Sequence, residues 1–362
     1  MGGAWPLDCP PQHGPSALGP TLVSDEGPNP IPTRRARILA AAIVAGVAVA
    51  YTYSVAARSP GFVSDFDQIW VAARALMAGE NPYRAVTTGF AGVSALSFPL
   101  FYPAPALVAG VPFAFLPLVA ARAAFAAVSI GVVAYLLTAR GWWALAALLS
   151  APAFLTVSLV QWSGWLAAAA VAPSLGWALA CKPNAGLSVL CTARSARAVW
   201  VALASATSMA LVSFALQPGW VGDWLSALRG QPHFRPYVLR PGGFLLLLAL
   251  LRWRRPEARW LAALACIPGT PGLQEALVFF MFALSFRQLL VMGLLSHAAM
   301  WVAYPARQAG DFYSYVEVAA MANLALMYLP ALVLVLRRPN EGDAPHFVDR
   351  VAGVLAALAR RS

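Results

Sequence analysis

Fourteen carboxylates serve a chain of 362 residues, and position sets half of them aside as general bases. Asp8, Asp25 and Glu26 lie in an N-terminal segment rich in Pro and Gly, Glu257 sits in an arginine cluster, and Glu341, Asp343 and Asp349 lie near the C-terminus. Asp65, Asp67, Glu80, Asp223, Glu275, Asp311 and Glu317 remain, and chemistry that takes a proton from a hydroxyl must draw its base from these. Lys182, the only lysine among 25 basic residues, interrupts apolar sequence in ACKPN. A charge there is costly and marks function by default, with a phosphate as the natural partner; the plainer reading is a lysine snorkelling to an interface. A second polar stretch, 217–243, carries Trp220, Trp224, Arg229, His233, Arg235 and Arg240. Guanidinium groups beside aromatic faces suit phosphate recognition, and an ordinary aromatic belt with solvated arginines has the same composition.

Asp65 and Asp67 open the stretch SDFDQIWVAARALMAGENPY, residues 64–83. Its apolar residues Phe66, Ile69, Trp70, Ala73, Leu76 and Met77 recur with the spacing of one helix face. The pattern predicts a helix lying on a membrane surface. Ser64 with Asp67 three residues on reads as a capping box, and Gly79 followed by Asn81-Pro82 supplies the stop. If Asp67 is engaged in capping, Asp65 is the freer carboxylate. Acidic residues in a first helical turn also favour the macrodipole without any further role. DFD matches the Asp-x-Asp pattern of metal-dependent transferases over three residues only, and neither a metal site nor a cofactor is expected.

With 60% hydrophobic and 11% charged residues the chain has too little polar surface for a soluble globule, and an all-α polytopic membrane protein is expected. The net charge of +11 is dispersed in short clusters between apolar runs, which suits topology signals and argues against nucleic acid as a partner. Richness in Ala, Gly, Arg and Pro suits a GC-rich bacterial gene. Arg34, Arg35 and Arg37 precede the first apolar run, so residues 1–33 read as a disordered cytoplasmic tail and the 64–83 stretch as extracytoplasmic. The region 98–117 reads as a Pro-rich re-entry into a second span. Further runs bring the expected crossings to about ten to twelve within residues 34–338, and 339–362 form a cytoplasmic tail with a basic amphipathic helix. Cys9, Cys181, Cys191 and Cys266 lack zinc-type spacing and read as unpaired small residues. No internal repeat is present, which weighs against an inverted-repeat transporter.

DFDQIWVAARALMAGENPY, then FYPAPAL, then ACKPNAGL, in this order, resembles the polytopic glycosyltransferases of family 87 over residues 65–187. The resemblance implies a GT-C fold with a juxtamembrane helix in the first outer loop, and a plasma-membrane enzyme acting extracytoplasmically. It implies a polyprenyl-phosphate sugar donor, mannose in mycobacterial members, and a lipid or glycan acceptor. The catalytic aspartate falls on the Asp65-Phe66-Asp67 segment, with Asp65 preferred, and Tyr102 of FYPAP joins Lys182 as a substrate contact. The chain departs from relatives that carry Tyr-Pro-Pro at Tyr102-Pro103-Ala104-Pro105 and Gly-Gln at Gln161-Trp162-Ser163-Gly164. A transporter or flippase, or a catalytically silent scaffold, is the competing class; for a transporter, Glu275 and His297 are the ionisable residues placed within apolar runs.

Overall fold

The computed structural model describes residues 31–90, 94–96, 98–229, 231, 234–269, 272–282, 284–308, 310 and 312–351. The expected N-terminal tail and His233 lie outside them. The regular elements are helices, and five of those described are long and apolar enough to cross a membrane: Arg34–Arg58, Leu118–Arg140, Ala196–Leu216, Phe286–Gln308 and Phe312–Leu336. The first, α1 (Arg34–Arg58), starts where the Thr33 hydroxyl accepts the Ala36 N–H at 3.3 Å. Ile38, Leu39, Ile43 and Val47 all point outward from it. A helix whose exposed side is this apolar suits a bilayer and no aqueous surface. The other apolar runs fold as shorter or broken pieces, so the expected ten to twelve spans are not drawn as that many long helices.

Helix α2 (Asp65–Met77) and α3 (Pro82–Thr88) follow α1. Gly79, with φ of +75°, ends α2, and the Glu80 N–H turns back to the Ala75 carbonyl at 2.9 Å. Asn81 caps α3 through the Tyr83 and Arg84 N–H groups, with Pro82 at the first helical position. Next come α4 (Ala104–Ala114) and α5 (Leu118–Leu137). Helices α1 and α5 run antiparallel: the Arg37 guanidinium donates to the Tyr135 carbonyl at 2.9 Å, while Arg122 in the first turn of α5 reaches the Phe62 carbonyl beyond the far end of α1. Residues 59–117 therefore begin and end at the same end of the α1–α5 pair.

This corrects two expectations. The region 98–117 is not a second span: α4 has 11 residues, about 16 Å of helix, and it lies along α2. Pro103 and Pro105 set its start. Gly110 lets it approach, since a Cβ there would meet Ile69 Cγ2 at 2.6 Å. The Trp70 indole donates to the Leu116 carbonyl at 3.0 Å, and Phe66 meets Phe113 edge to face. Nor does α2 lie on a membrane surface, because every residue from Phe66 to Ala73 is buried. The helical period found the face that meets α4, while Gln68 and Asp67 on the remaining faces are buried against other polar groups.

A 3₁₀ helix at Trp142–Leu149 leads into α6 (Ala151–Ser158). Residues 163–190 break into α7 (Ser163–Ala169), α8 (Trp177–Cys181) and α9 (Pro183–Leu190), none long enough to cross alone. Irregular backbone of this kind survives at membrane depth only when covered by protein or lining a cavity. The long α10 (Ala196–Leu216) is followed by α11 (Trp220–Leu228), and a ten-residue 3₁₀ segment, Gly243–Arg252, precedes α12 (Pro256–Cys266). The 3₁₀ turn Leu273–Ala276 enters α13 (Leu277–Phe280), then α14 (Phe286–Gln308). Finally α15 (Phe312–Asn323) continues through a π turn, Leu324–Tyr328, into α16 (Leu329–Leu336). Pro330 has no N–H for an i−4 bond, and the π turn falls where that bond is lost.

The arginine clusters gather at the Arg34 end. Arg259 donates to the Cys191 and Ala193 carbonyls, both at 2.8 Å, Arg252 donates to the Leu336 carbonyl at 2.9 Å, and Arg255 to that of Pro339 at 2.7 Å. They satisfy helix-end carbonyls as well as carrying charge. The expected C-terminal helix is under way at residues 346–351, and its remainder lies outside the described residues.

Candidate active site

Asp67 is fully engaged. Its carboxylate accepts the Ser64 N–H at 3.0 Å and the Ser64 hydroxyl at 2.6 Å, completing the cap seen in sequence. It also forms a two-pronged pair with Arg122, Nε at 2.7 Å and a terminal nitrogen at 2.5 Å. Both partners are buried. Arg122 escaped the sequence reading although its signal was present: an arginine inside the apolar run that follows FYPAP, which needs a carboxylate partner. Ser64 and Arg122 thus take up the acceptor directions of Asp67.

Asp65 stands one step before that cap, and its N–H donates to the Leu159 carbonyl at 3.2 Å. Among the described residues no hydrogen bond or ion pair reaches its side chain. Burial raises its carboxyl above the ordinary carboxylate range; the nearby Lys182 ammonium pulls it back, and the Asp67 and Glu275 carboxylates push it up further. A carboxylate held ready to take a proton needs this combination of poor solvation and no standing donor.

Lys182 occupies the break between α8 and α9, made by Pro183 and held tight by Gly186, where a Cβ would strike the Leu179 carbonyl oxygen at 2.6 Å. It does not snorkel. Its ammonium meets Glu275 Oε1 at 2.5 Å, and Glu275 itself is buried on the 3₁₀ turn before α13. Tyr102 is buried beside them; its phenol is raised well above its usual value by burial and by the fields of Asp65 and Glu275, so it stays a hydrogen-bond donor. Its ring lies 6.4 Å from that of Trp162. Tyr237 is raised by burial too, bonds Asn323, packs edge to face on Tyr328, and also senses Glu275. Five separate segments contribute to one electrostatically coupled polar cluster: Asp65, Tyr102, Lys182, Tyr237 and Glu275.

No family model, curated protein or solved structure matches this chain.

A further feature borders Asp65. Val160, directly after the carbonyl that holds the Asp65 N–H, has φ of +52°, a left-handed conformation rare for a β-branched residue and worth about 1–3 kcal/mol of strain. After it, Gln161 Oε1, Trp162 Nε1, Ser163 Oγ and Trp165 Nε1 are buried without a partner among the described residues. Four unpaired polar atoms in one turn of chain make a deficit that ordered water or ligand hydroxyls would fill.

The 217–243 stretch divides. Arg240 is buried and tied to Glu317 at 2.5 and 3.1 Å, so it fastens α15 to this stretch and is not open to phosphate. The Trp224 indole donates to the Phe101 carbonyl at 3.0 Å, and Trp220 packs between Phe214 and Trp224; these rings seat α11 on the FYPAP segment. Asp223 joins Asn81 at 3.1 Å and Gln217 at 3.0 Å, linking α3 to α11. Arg229 and Arg235 stay exposed. His297 bonds the Leu149 carbonyl at 2.9 Å.

Proposed function

We propose that this chain is a membrane glycosyltransferase of GT-C type that moves a sugar, mannose first among candidates, from a polyprenyl-phosphate donor to a lipid or glycan hydroxyl. The reading places the site on the extracytoplasmic face of a bacterial plasma membrane. The observation that carries it is the contrast within one helical turn: Asp67 is locked by Ser64 and Arg122, while Asp65 is half-buried, raised and, among the described residues, unpaired. In the proposed step the acceptor oxygen attacks the anomeric carbon, its proton passes to Asp65, and the bond from that carbon to the phosphate oxygen breaks. The electron pair leaves with the lipid phosphate, and the anomeric centre inverts. Tyr102, Trp162 and Ser163 supply donors for sugar or phosphate oxygens. Membranes containing the protein, given radiolabelled polyprenyl-phosphate mannose and lipid acceptors, should form labelled glycolipid; label that stays on the donor with every acceptor class contradicts the reading.

Lys182 can steady the leaving phosphate only by sharing its ammonium with Glu275. Lys182→Ala strands Glu275 and should cost about 3–5 kcal/mol of stability as well as activity. The pair Lys182→Ala with Glu275→Gln separates the two effects. Transfer that stays slow in a folded double variant, with Lys182→Arg milder, is the outcome expected of a phosphate contact, whereas full recovery would make Lys182 merely the partner of Glu275.

The sidedness rests on the arginine clusters. Ser64 is buried and unsuited to labelling, but Gly61 is exposed with open space at its Cβ. In a background lacking Cys9 and Cys266, cysteine at Gly61 should react with an impermeant reagent on intact cells and cysteine at Ala196 should not. The reverse pattern would invert the topology.

One observation favours a second reading as transporter or flippase: a partly buried Lys182–Glu275 pair at the ends of broken helices, the kind of place where ion and substrate pathways run. Proteoliposomes that flip a fluorescent lipid phosphate equally well with Asp65→Asn, and transfer no sugar, would favour it.

A further inference from the structure

The first half of α14 and the start of α16 leave an open groove of about 420 Å³ between them, walled by Val291, Met292, Leu295, Pro330 and Val333, with Arg287 at one end. Val291 and Val333 are exposed on helices apolar enough to lie in a bilayer. The groove is closed at the Arg34 end, where Arg338 donates to Gln288 at 3.0 Å and pairs with Glu257 at 3.0 Å, pinning the end of α16 to the start of α14. Arg338 is thereby spent. Arg287, next to Gln288, and Arg337, next to Arg338, are exposed, and among the described residues neither has a hydrogen bond or an ion pair to its side chain. Arg337 lies one helical turn beyond Val333 on α16, so the closed end of the trough carries Arg287 and has Arg337 next to it. An apolar trough with unneutralised guanidinium groups at one end is complementary to one kind of molecule: an acyl chain carrying an anionic head.

We propose that this groove is a binding site for an anionic phospholipid of the surrounding bilayer, its chain along Val291, Leu295 and Val333 and its phosphate at Arg287 and Arg337. The site lies at the opposite end of the bundle from Asp65 and does not depend on the transferase reading. Its volume falls within the range of ordinary small-molecule sites, and the basic end is the one that the arginine clusters assign to the cytoplasmic leaflet, where anionic lipids concentrate.

The test uses the full-length protein in detergent, with phosphatidylglycerol or phosphatidylcholine of matched chains added, read by native mass spectrometry and by thermal unfolding. Wild type should retain phosphatidylglycerol in preference and gain more in Tm from it. Arg287→Gln should lower that preference about fivefold, and Arg287→Gln with Arg337→Gln should abolish it, since one surface arginine contributes roughly that factor. Leu295→Trp, which fills the trough, should reduce retention of both lipids. A double arginine variant that keeps the wild-type preference overturns the proposal. So does a Leu295→Trp variant that keeps wild-type retention, or a lipid-free dimer that the same substitution dissociates, which would make a second copy the occupant.

Discussion

Asp65→Asn is expected to slow sugar transfer by about 10² to 10⁴, the usual contribution of a positioned general base, while the protein still folds. The amide keeps the shape of the carboxylate but cannot take the acceptor proton. Folding should survive because the side chain makes no hydrogen bond or ion pair among the described residues, and the macrodipole term lost is only about 0.3–1 kcal/mol. Binding of the lipid donor should change little, so the loss should fall on kcat. Transfer at the wild-type rate by Asp65→Asn would remove Asp65 from the chemistry.

Asp67→Ala and Arg122→Ala are each expected to cost about 3–5 kcal/mol, because either one leaves an uncompensated charge buried where α2 meets α5. The cap to Ser64 alone would account for only about 1 kcal/mol of that. Thermal unfolding in detergent measures the loss. The double variant Asp67→Leu with Arg122→Leu should recover most of the stability, since an apolar pair of similar volume replaces a costly buried ion pair. It should still transfer sugar above the Asp65→Asn level, because the pair positions the head of α2 and takes no proton. A double variant as unstable as the singles would mean that the cost lies in packing, not in the stranded charge.

The parts of this architecture legible in the sequence are those set by local rules. The 3.6-residue period and the Ser64–Asp67 spacing placed α2 and its cap, Gly79 and Asn81-Pro82 ended it, and unbroken apolar runs such as 38–57 became long helices. Local rules fail where a second element decides. The same apolar face that suits a membrane surface suits α4 equally well, and only Gly110, a backbone contact 41 residues from Ile69, tells the two apart. Apolar run length also misleads around Lys182, since 163–190 reads as near-continuous hydrophobic sequence but breaks to bring Lys182 to Glu275, 93 residues away. The ion pairs of the site, Asp67 with Arg122, Lys182 with Glu275 and Arg240 with Glu317, each join distant segments. The sequence supplied the charged residues, and elimination reached both Asp65 and Glu275, but pairing, which decides which charge stays free, is a property of the packed chain.

The measurement that bears most directly on Asp65 as the base is the pH dependence of transfer from the lipid-phosphate donor. A base acts only when ionised, so activity should rise with pH through a midpoint above the ordinary carboxylate range, where burial and the fields of Asp67 and Glu275 hold Asp65. Glu275→Gln removes one of the charges that raise it and leaves Lys182 unshared, so both changes should move the midpoint down. The residual activity of Asp65→Asn should lose this acid limb. An acid limb unchanged by both substitutions would contradict the account, because the ionisation controlling transfer would then belong to another group.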